Sequence, residues 1–350
     1  MNEPQDDLVE EERGPAPGAP SSSPTPTALD GWKWLHECGS DFLSKSPPRR
    51  RWLLTRGEGA GVLPLGKVGM LAGAGAAGKT MALAQLALAI AGGPAEDEDG
   101  KPAKWLDTFD VAEPGHVLLA LGEEDIEEMQ RRLFNAAAML GMQRDDIARA
   151  SKRLALLPLA GEDVAFLKIG ADRNLERTNA FGLLQKKLEL AGVEWKAVLL
   201  DPLSRFAGPD AEKDNSAATR FIETLETLTK SPGNPTVLVA HHTSQGARKE
   251  GSSDATGARG VTGLTDGVRW VAGLENGALA SSVKLTCWKT NYSKTWDSVW
   301  LARDEKNSGA LRPEKPEEKT AREEKAKKDE PPKPAALKAA IGAPVKKTDV

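Results

Sequence analysis

Residues 67–93 read KVGMLAGAGAAGKTMALAQLALAIAGG, and three features in this stretch belong together. Residues 67–73 are an apolar run that ends in glycine, which is typical of a buried strand. Residues 81–93 are apolar at nearly every position and close on two glycines, which predicts a buried helix. The turn between them matches the pattern G-x-x-x-x-G-K-[ST], whose backbone amides surround a phosphate at the start of a helix. The residues of this predicted phosphate-binding turn are Gly73, Ala74, Gly75, Ala76, Ala77, Gly78, Lys79 and Thr80.

The last two residues of the turn carry the side-chain chemistry of this pattern. The lysine, here Lys79, reaches the β- and γ-phosphates, and the hydroxyl of the following residue, Thr80, ligates Mg²⁺. We therefore expect ATP as the nucleotide and Mg²⁺ as its metal.

Apolar runs of strand length alternate with helical patterns over residues 67–312, which predicts an α/β fold built from βαβ units. Further strands are expected at residues 115–121, 153–160, 196–201 and 236–242. After Gly263 the pattern changes to partial alternation, which suits an antiparallel C-terminal extension of a mostly parallel central sheet flanked by helices.

Acidic side chains follow two of the predicted strands at the carboxyl edge of the sheet, where open α/β folds bind ligands. Asp201 ends one strand and is expected to act on the metal side of the site. Glu123 follows another strand and is expected to orient the attacking water. Glu124 remains the alternative, and either residue is also a favourable neighbour of a helix N-terminus.

Two adjacent histidines, His241 and His242, end a third predicted strand. Adjacent strand residues point to opposite faces, so the pair does not suit a shared metal. One of them fits a sensor of the γ-phosphate, with an ordinary hydrogen-bonded histidine as the alternative.

The 350-residue chain has a formal net charge of −4 and two cysteines. Two cysteines exclude a disulfide-built scaffold and a cysteine-rich zinc module. The N-terminus lacks the apolar stretch of a signal peptide, and no apolar run approaches the ~20 residues that cross a bilayer. We expect a cytoplasmic protein without a membrane segment.

Composition divides the chain into four segments. Residues 1–29 and 313–350 are rich in charge, proline or serine and are predicted to be mostly disordered tails. Residues 30–66 form an arm with three tryptophans and a basic cluster at Arg49–Arg51. The arm is expected to pack on the main domain or on a neighbouring subunit. Residues 67–312 form the folded core.

The ordered set of motifs resembles the RepA-type hexameric replicative helicases, a family with RecA-like P-loop ATPase domains. The resemblance covers roughly residues 60–312. Besides the phosphate-binding turn it rests on VLLALGEEDIEEMQRRL (117–133), VLLDPLSRF (198–206), VLVAHHTSQGA (237–247), ARGVTGLTDGVRWVAGL (258–274) and WKTNYS (288–293). Of these, the stretch RGVTGLTDGVRW is the most specific to the family. The resemblance implies a RecA-like core, a hexameric ring of identical subunits, and single-stranded DNA as partner.

The resemblance also implies roles for individual residues. Glu123 and Asp201 match the family's catalytic glutamate and metal-side aspartate, and His242 falls in the motif that couples the γ-phosphate to the DNA-facing loop. Arg269 matches an arginine that reaches the ATP of the adjacent subunit and stabilises transition-state charge there. Lys289 is expected to contact nucleotide as well, with a solvated strand lysine as the alternative.

Residues 243–262 are rich in glycine and serine and carry Arg248, Lys249 and Arg259. In a ring, this segment would line the central channel and contact single-stranded DNA through its phosphates. It has no aromatic residue, so its contacts should be independent of base sequence. A solvated loop without a DNA contact is the alternative.

The function expected from these features is that of a ring-forming, ATP-dependent DNA helicase or translocase that acts in replication. The alternative is a RecA-like recombinase or a DNA-binding regulatory ATPase without unwinding activity.

Overall fold

The computed structural model of the chain describes residues 31–94, 102–243 and 262–329. The predicted N-terminal tail, the predicted DNA-contacting residues Arg248, Lys249 and Arg259, and residues 330–350 lie outside these ranges. No helix in the described ranges is long and apolar enough to span a membrane.

Strands and helices alternate along most of the chain, as the sequence predicts. The strands are β1 (Trp52–Arg56), β2 (Ala60–Pro64), β3 (Val68–Gly73), β4 (Lys104–Trp105), β5 (Phe109–Val111), β6 (His116–Leu121), β7 (Leu154–Pro158), β8 (Leu167–Ile169), β9 (Leu175–Arg177), β10 (Trp195–Asp201), β11 (Thr236–His242), β12 (Trp270–Asn276), β13 (Ser282–Thr290), β14 (Val299–Asp304) and β15 (Ala310–Pro313). The helices are α1 (Lys79–Gly92), α2 (Ile126–Met139), α3 (Arg144–Arg153), α4 (Asn179–Leu190), α5 (Leu203–Phe206), α6 (Asn215–Leu228), α7 (Thr262–Gly267) and α8 (Pro316–Asp329).

Nine of these strands form one sheet in the order β15-β14-β13-β12-β3-β11-β10-β6-β7. The six strands from β12 to β7 are parallel, and β13, β14 and β15 continue the sheet in antiparallel pairs. The predicted α/β class, with a mostly parallel sheet and an antiparallel extension, is confirmed. The structure differs from the prediction at the edge of the extension, because β12 pairs antiparallel with β13, as expected, but parallel with β3. A parallel neighbour needs a long connection, and the chain between β11 and β12, which contains α7, is long enough to supply one.

Helices cover both faces of this sheet. Successive side chains along a strand point to opposite faces, so each strand contributes apolar side chains to both helix layers. On β10, Ala197 and Leu199 join the apolar core beside α1, while Val198 and Leu200 join the core beside α4 and α6. Helix α1 is buried along nearly its whole length because it lies between the sheet and the helices α2 and α3. The phosphate-binding turn is therefore anchored between two fully buried elements.

A smaller sheet, ordered β2-β1-β5-β4, covers another side of α1. Trp105 is fully buried there, and its indole Nε1 donates to the carbonyl of Ala82 at 2.9 Å. Strands β1 and β2 come from the stretch 30–66 that we predicted to be an arm, and they pack on the core of their own chain.

The described residues fall into two units, one that ends at Arg49 and one that begins at Arg50. The predicted arm therefore divides between them. The described part of the first unit contains a single-turn 3₁₀ helix at Leu35–Cys38. Several of its large apolar side chains are more than half exposed, namely Trp32, Trp34, Leu35, Phe42 and Leu43.

Helix α8 differs from the expectation of a mostly unstructured tail after residue 312. The guanidinium of Arg322 donates to both carboxylate oxygens of Glu314, at 2.8 and 3.1 Å, and lies 3.8 Å from the ring centre of Trp300. Arg322 also lies near Glu323, at 3.6 Å. The charge-rich segment forms a helix that packs through Arg322. This nearly buried arginine contacts the carboxylate of Glu314 and the ring of Trp300 at the same time.

Candidate nucleotide-binding site

The phosphate-binding turn joins β3 to α1 and has the backbone shape that its small residues permit. Ala76 and Gly78 have positive φ angles of 57° and 96°, and Gly78 directly precedes the first residue of α1. A Cβ atom on Gly73 would lie 2.6 Å from the carbonyl oxygen of Leu274, so no larger residue fits there without movement. The turn thus places successive amide groups at the N-terminus of a buried helix, where the helix dipole favours an anion.

Lys79 is only 3% exposed. Its Nζ donates to the carbonyl oxygens of Gly73 and Ala74, at 2.8 and 2.9 Å. Burial lowers the pKa of Lys79 to about 8, although the charges of Asp201 and Glu123 act in the opposite direction. A buried ammonium group that bonds only to neutral groups is well suited to receive phosphate oxygens, which would stabilise its charged form.

Asp201, at the end of β10, lies beside Thr80, at the start of α1. Asp201 is 5% exposed, and burial raises the pKa of its carboxyl group, while a hydrogen bond from Thr80 and the charge of Lys79 lower it. In the described residues no cluster of three or more His, Cys, Asp or Glu side chains could hold a metal. The hydroxyl of Thr80 and the carboxylate of Asp201 are oxygen donors of the kind that Mg²⁺ prefers, and they would suit an ion that takes its remaining ligands from nucleotide and water.

The structure distinguishes the two glutamates that follow β6. Glu124 accepts a hydrogen bond of 2.6 Å from Nη2 of Arg132, so its carboxylate already has a cationic partner. Glu123 lines the same cavity as Thr80, and its charge acts on Lys79 and Asp201. Both glutamates line the cavity, and Glu124 is the one that is engaged with Arg132 of helix α2. The assignment of Glu123 to the attacking water stays a prediction.

The two histidines at the end of β11 point to opposite sides of the strand. His242 places Nδ1 3.2 Å from Nζ of Lys79, and burial and the charge of Lys79 lower the pKa of its ring. His241 is 3% exposed, with Nδ1 3.4 Å from Oε1 of Glu212 on the other face. Of the two histidines, His242 is the one whose ring lies beside Lys79.

These residues surround one cavity of about 360 Å³. Among the lining residues that the sequence does not mark for the site, three have polar or charged side chains: Arg132 from α2, and Arg303 and Ser308 from the antiparallel extension. Arg132 lies in the RRL motif that we quoted for the resemblance. No local pattern marks Arg303 or Ser308, because they are distant in sequence from every motif of the site.

Arg269 and Lys289 do not line this cavity. The backbone amide of Arg269 donates to the carbonyl of Val68, the first residue of β3, whereas the phosphate-binding turn follows the other end of β3. The five residue-to-residue steps from Val68 to Gly73, at ~3.3 Å each, place these ends about 16 Å apart. Lys289 donates to the carbonyls of Thr265 and Asp266 at 2.8 and 2.9 Å, which holds the last turn of α7. A contact of Lys289 with nucleotide stays a prediction.

A strand-turn-helix phosphate site at the carboxyl edge of a mostly parallel sheet, with acidic residues at the ends of neighbouring strands, defines a P-loop NTPase. Residues 36–248 match the family described as AAA domain (AAA_25), and the chain belongs to this family. The family and the site together support an ATP-binding P-loop ATPase.

Two solved structures are similar to this chain in fold. One is described as an ATPase domain, with 14% identity, a TM-score of 0.47, and coverage of 71% of this chain and 85% of that chain. The other is described as "The Structure Of A DnaB-Like Replicative Helicase And Its Interactions With Primase", with 13% identity and a TM-score of 0.48. That match covers 69% of this chain and 57% of the other.

Proposed function

We propose that the protein is a ring-forming, ATP-driven DNA helicase or translocase of the RepA type, which hydrolyses ATP as it moves on single-stranded DNA. Three properties distinguish such a motor from other P-loop ATPases: hydrolysis at a site between subunits, assembly into a ring, and binding of DNA. Different residues of the chain support each property.

Hydrolysis is supported by the residues that converge on the cavity. Lys79 and the turn amides bind the phosphate chain, and Thr80 and Asp201 would hold Mg²⁺, which supplies charge neutralisation at the β- and γ-phosphates. Glu123 orients the attacking water and accepts its proton. His242 contacts Lys79 and so is positioned to respond to the presence of the γ-phosphate.

The position of Arg269 carries the proposal of a ring. Arg269 lies at the edge of the sheet opposite to the phosphate-binding turn of its own chain, about 16 Å away, and its amide is fixed to Val68. A side chain at that edge cannot reach its own cavity. In the RepA-type resemblance the corresponding arginine serves the ATP of the next subunit, and a closed ring gives every site such an arginine.

The start of the predicted DNA loop supports the coupling of DNA to hydrolysis. The amide of Thr243 donates to the carbonyl of Gly73, and His242 contacts Lys79, so the loop departs from the phosphate-binding turn itself. The predicted DNA-contacting residues Arg248, Lys249 and Arg259 follow directly in the sequence. We propose that they bind DNA phosphates without base preference.

The test combines three measurements on the full chain. Phosphate release from ATP is compared with and without single-stranded DNA, the native mass is measured with a non-hydrolysable ATP analogue, and a forked duplex is offered for unwinding. A hexamer whose ATPase is stimulated by DNA and which separates the fork supports the proposal. Lys79→Ala is the control without nucleotide turnover.

The same measurements also show which outcomes contradict the proposed function. A stimulated ATPase that forms a filament or a dimer and leaves the fork intact assigns the chain to the recombinase-like or regulatory ATPases. An assembly that binds ATP without turnover refutes the motor.

A further inference from the structure

One wall of the nucleotide cavity comes from the antiparallel extension of the same chain. Arg303 at the end of β14 and Ser308 and Gly309 in the turn before β15 line the cavity. The extension is fastened to α1 by Gln85, whose side chain donates to the carbonyl of Leu311 at 2.8 Å and accepts from its amide at 2.9 Å. The wall is therefore held rigidly against the helix that begins at the phosphate-binding turn.

Arg303 connects this wall to the phosphate-binding turn. Its Nη2 donates to the carbonyl of Ala76 at 3.0 Å and to Oδ1 of Asn276 at 2.5 Å, and its Nη1 donates to the carbonyl of Ala280 at 2.6 Å. Ala76 is the residue of the turn that has a positive φ angle although it is not glycine. A positive φ angle is unfavourable for a residue with a side chain. The guanidinium of Arg303 thus donates to the turn at Ala76, a residue whose backbone conformation is unfavourable.

The charge of Arg303 has no acidic partner among the described residues. Its three hydrogen bonds go to two carbonyls and one amide oxygen, and partial burial lowers its pKa. The other arginine of the cavity, Arg132, is neutralised by Glu124. A half-buried cation without a counter-ion, facing a cavity built for an anion, gains most when that anion arrives.

We propose that Arg303 is a cis-acting positioning residue of the nucleotide site, which holds the phosphate-binding turn through Ala76 and contributes positive charge to the bound polyphosphate. This inference rests on the proposed nucleotide binding and does not depend on ring formation or on DNA. It adds to the site a residue from the other end of the folded core.

The test separates charge from hydrogen bonding. Arg303→Gln keeps a hydrogen-bond donor and removes the charge. Arg303→Lys keeps the charge but cannot donate from two nitrogens as the guanidinium does. Arg220→Gln is the matched control, because Arg220 is an exposed arginine of α6 paired with Glu223. For each full-length variant, Mg-ADP affinity is measured by calorimetric titration, ATP hydrolysis gives kcat and KM, and thermal melting without nucleotide reports folding.

We expect Arg303→Gln to weaken ADP binding about tenfold and Arg303→Lys about threefold, which are sizes typical for one charge-assisted contact. KM should rise in proportion while kcat changes by less than about twofold. The control should match the unaltered chain.

Three results would overturn the inference. They are ADP affinity of Arg303→Gln within about twofold of the unaltered chain, equal losses for the glutamine and lysine variants, and a loss confined to kcat. Absence of ADP binding by the unaltered chain would overturn the nucleotide site and the inference together. Failure to unwind DNA with the expected ADP results would remove the helicase proposal and leave the role of Arg303 standing.

Discussion

Glu123 and Glu124 are adjacent in the sequence but have different neighbours. Both line the cavity, but Glu124 lies 2.6 Å from Arg132, whereas the charge of Glu123 acts on Lys79 and Asp201. We predict that Glu123→Gln lowers ATP turnover by roughly 10²- to 10⁴-fold, because an amide cannot accept the proton of the attacking water. ADP affinity should change by less than about threefold.

Glu124→Gln is the matched control for this prediction. It removes the same charge one residue away and should retain most of the turnover, since its carboxylate acts on Arg132 rather than on water. Steady-state phosphate release and ADP titration measure both variants. Equal loss of turnover in the two variants would contradict the assignment of Glu123, rather than Glu124, as the residue that accepts the proton of the attacking water.

Lys79 makes nucleotide binding dependent on pH. Its pKa is about 8, because burial opposes the charged form. The carboxylates of Asp201 and Glu123 act in the opposite direction, and the ring of His242, whose own pKa is lowered, is a further titratable neighbour. Bound polyphosphate favours the protonated form, so binding above pH 8 must take up a proton and affinity must fall as pH rises. At pH 8.5 we expect net uptake of a measurable fraction of a proton per ADP, because part of Lys79 is then neutral before nucleotide binds.

Calorimetry in two buffers of different ionisation heat measures this uptake. His242→Asn is the control for the neighbouring ring and should show the same uptake at pH 8.5. Uptake near zero at that pH in the unaltered chain would mean that Lys79 is fully protonated before nucleotide binds.

At the scale of elements, charged contacts attach α8 to the antiparallel extension. Arg322 and Glu314 have side chains that are 9% and 5% exposed, so removing one partner leaves the other nearly buried and unpaired. We predict that Arg322→Ala lowers the free energy of unfolding by about 3 kcal/mol. Urea denaturation followed by tryptophan fluorescence measures this, since Trp300 lies under the guanidinium.

The control for α8 is Lys325→Ala, which breaks a half-exposed pair with Asp329 and should change stability by less than about 0.5 kcal/mol. The double variant Arg322→Ala/Glu314→Ala should be less destabilised than the sum of its single variants. An Arg322→Ala variant as stable as the control would show that α8 does not depend on this pair in solution.

At the scale of the whole molecule, each active site of the proposed ring contains residues of two neighbouring subunits, Glu123 from one and Arg269 from the other. Glu123→Gln and Arg269→Ala subunits should each be nearly inactive alone. When the two are mixed, an intact Glu123 meets an intact Arg269 at some interfaces, so ATPase activity should reappear. The measurement is phosphate release as a function of mixing ratio, with single-stranded DNA present.

Mixing each variant with Lys79→Ala subunits provides a comparison. Lys79→Ala chains retain Arg269 and should rescue Arg269→Ala chains in the same way. Inactivity at every mixing ratio, with mixed assemblies demonstrated by mass, would contradict a role of Arg269 in the neighbouring site.

Much of the fold could be predicted because its signals are local. The strand, turn and helix around Lys79 occupy one short window, and strand periodicity located β6, β10 and β11. The shared carboxyl edge of parallel strands then predicted that Glu123, Asp201 and His242 lie close together, and the structure places all three at one cavity. The catalytic roles of these residues stay predictions.

The pairing of β12 and the packing of α8 could not be predicted in the same way. The alternation in residues 270–276 is compatible with either strand direction, and only the neighbour β3 selects the parallel one. The composition of residues 316–329 is that of a solvated segment, and only the pocket formed by Trp300 and Glu314 makes a buried Arg322 favourable.

The amino-acid sequence by itself determined that this chain has a phosphate-binding turn in an α/β core, because that turn depends on residues that are neighbours along the backbone. The tertiary structure decided that Glu124 pairs with Arg132, that Arg269 lies at the edge of the sheet opposite to the phosphate-binding turn, and that Arg303 donates to Ala76 across 227 positions of sequence. Such contacts depend on how separate elements stack in space, and no short stretch of residues contains that information.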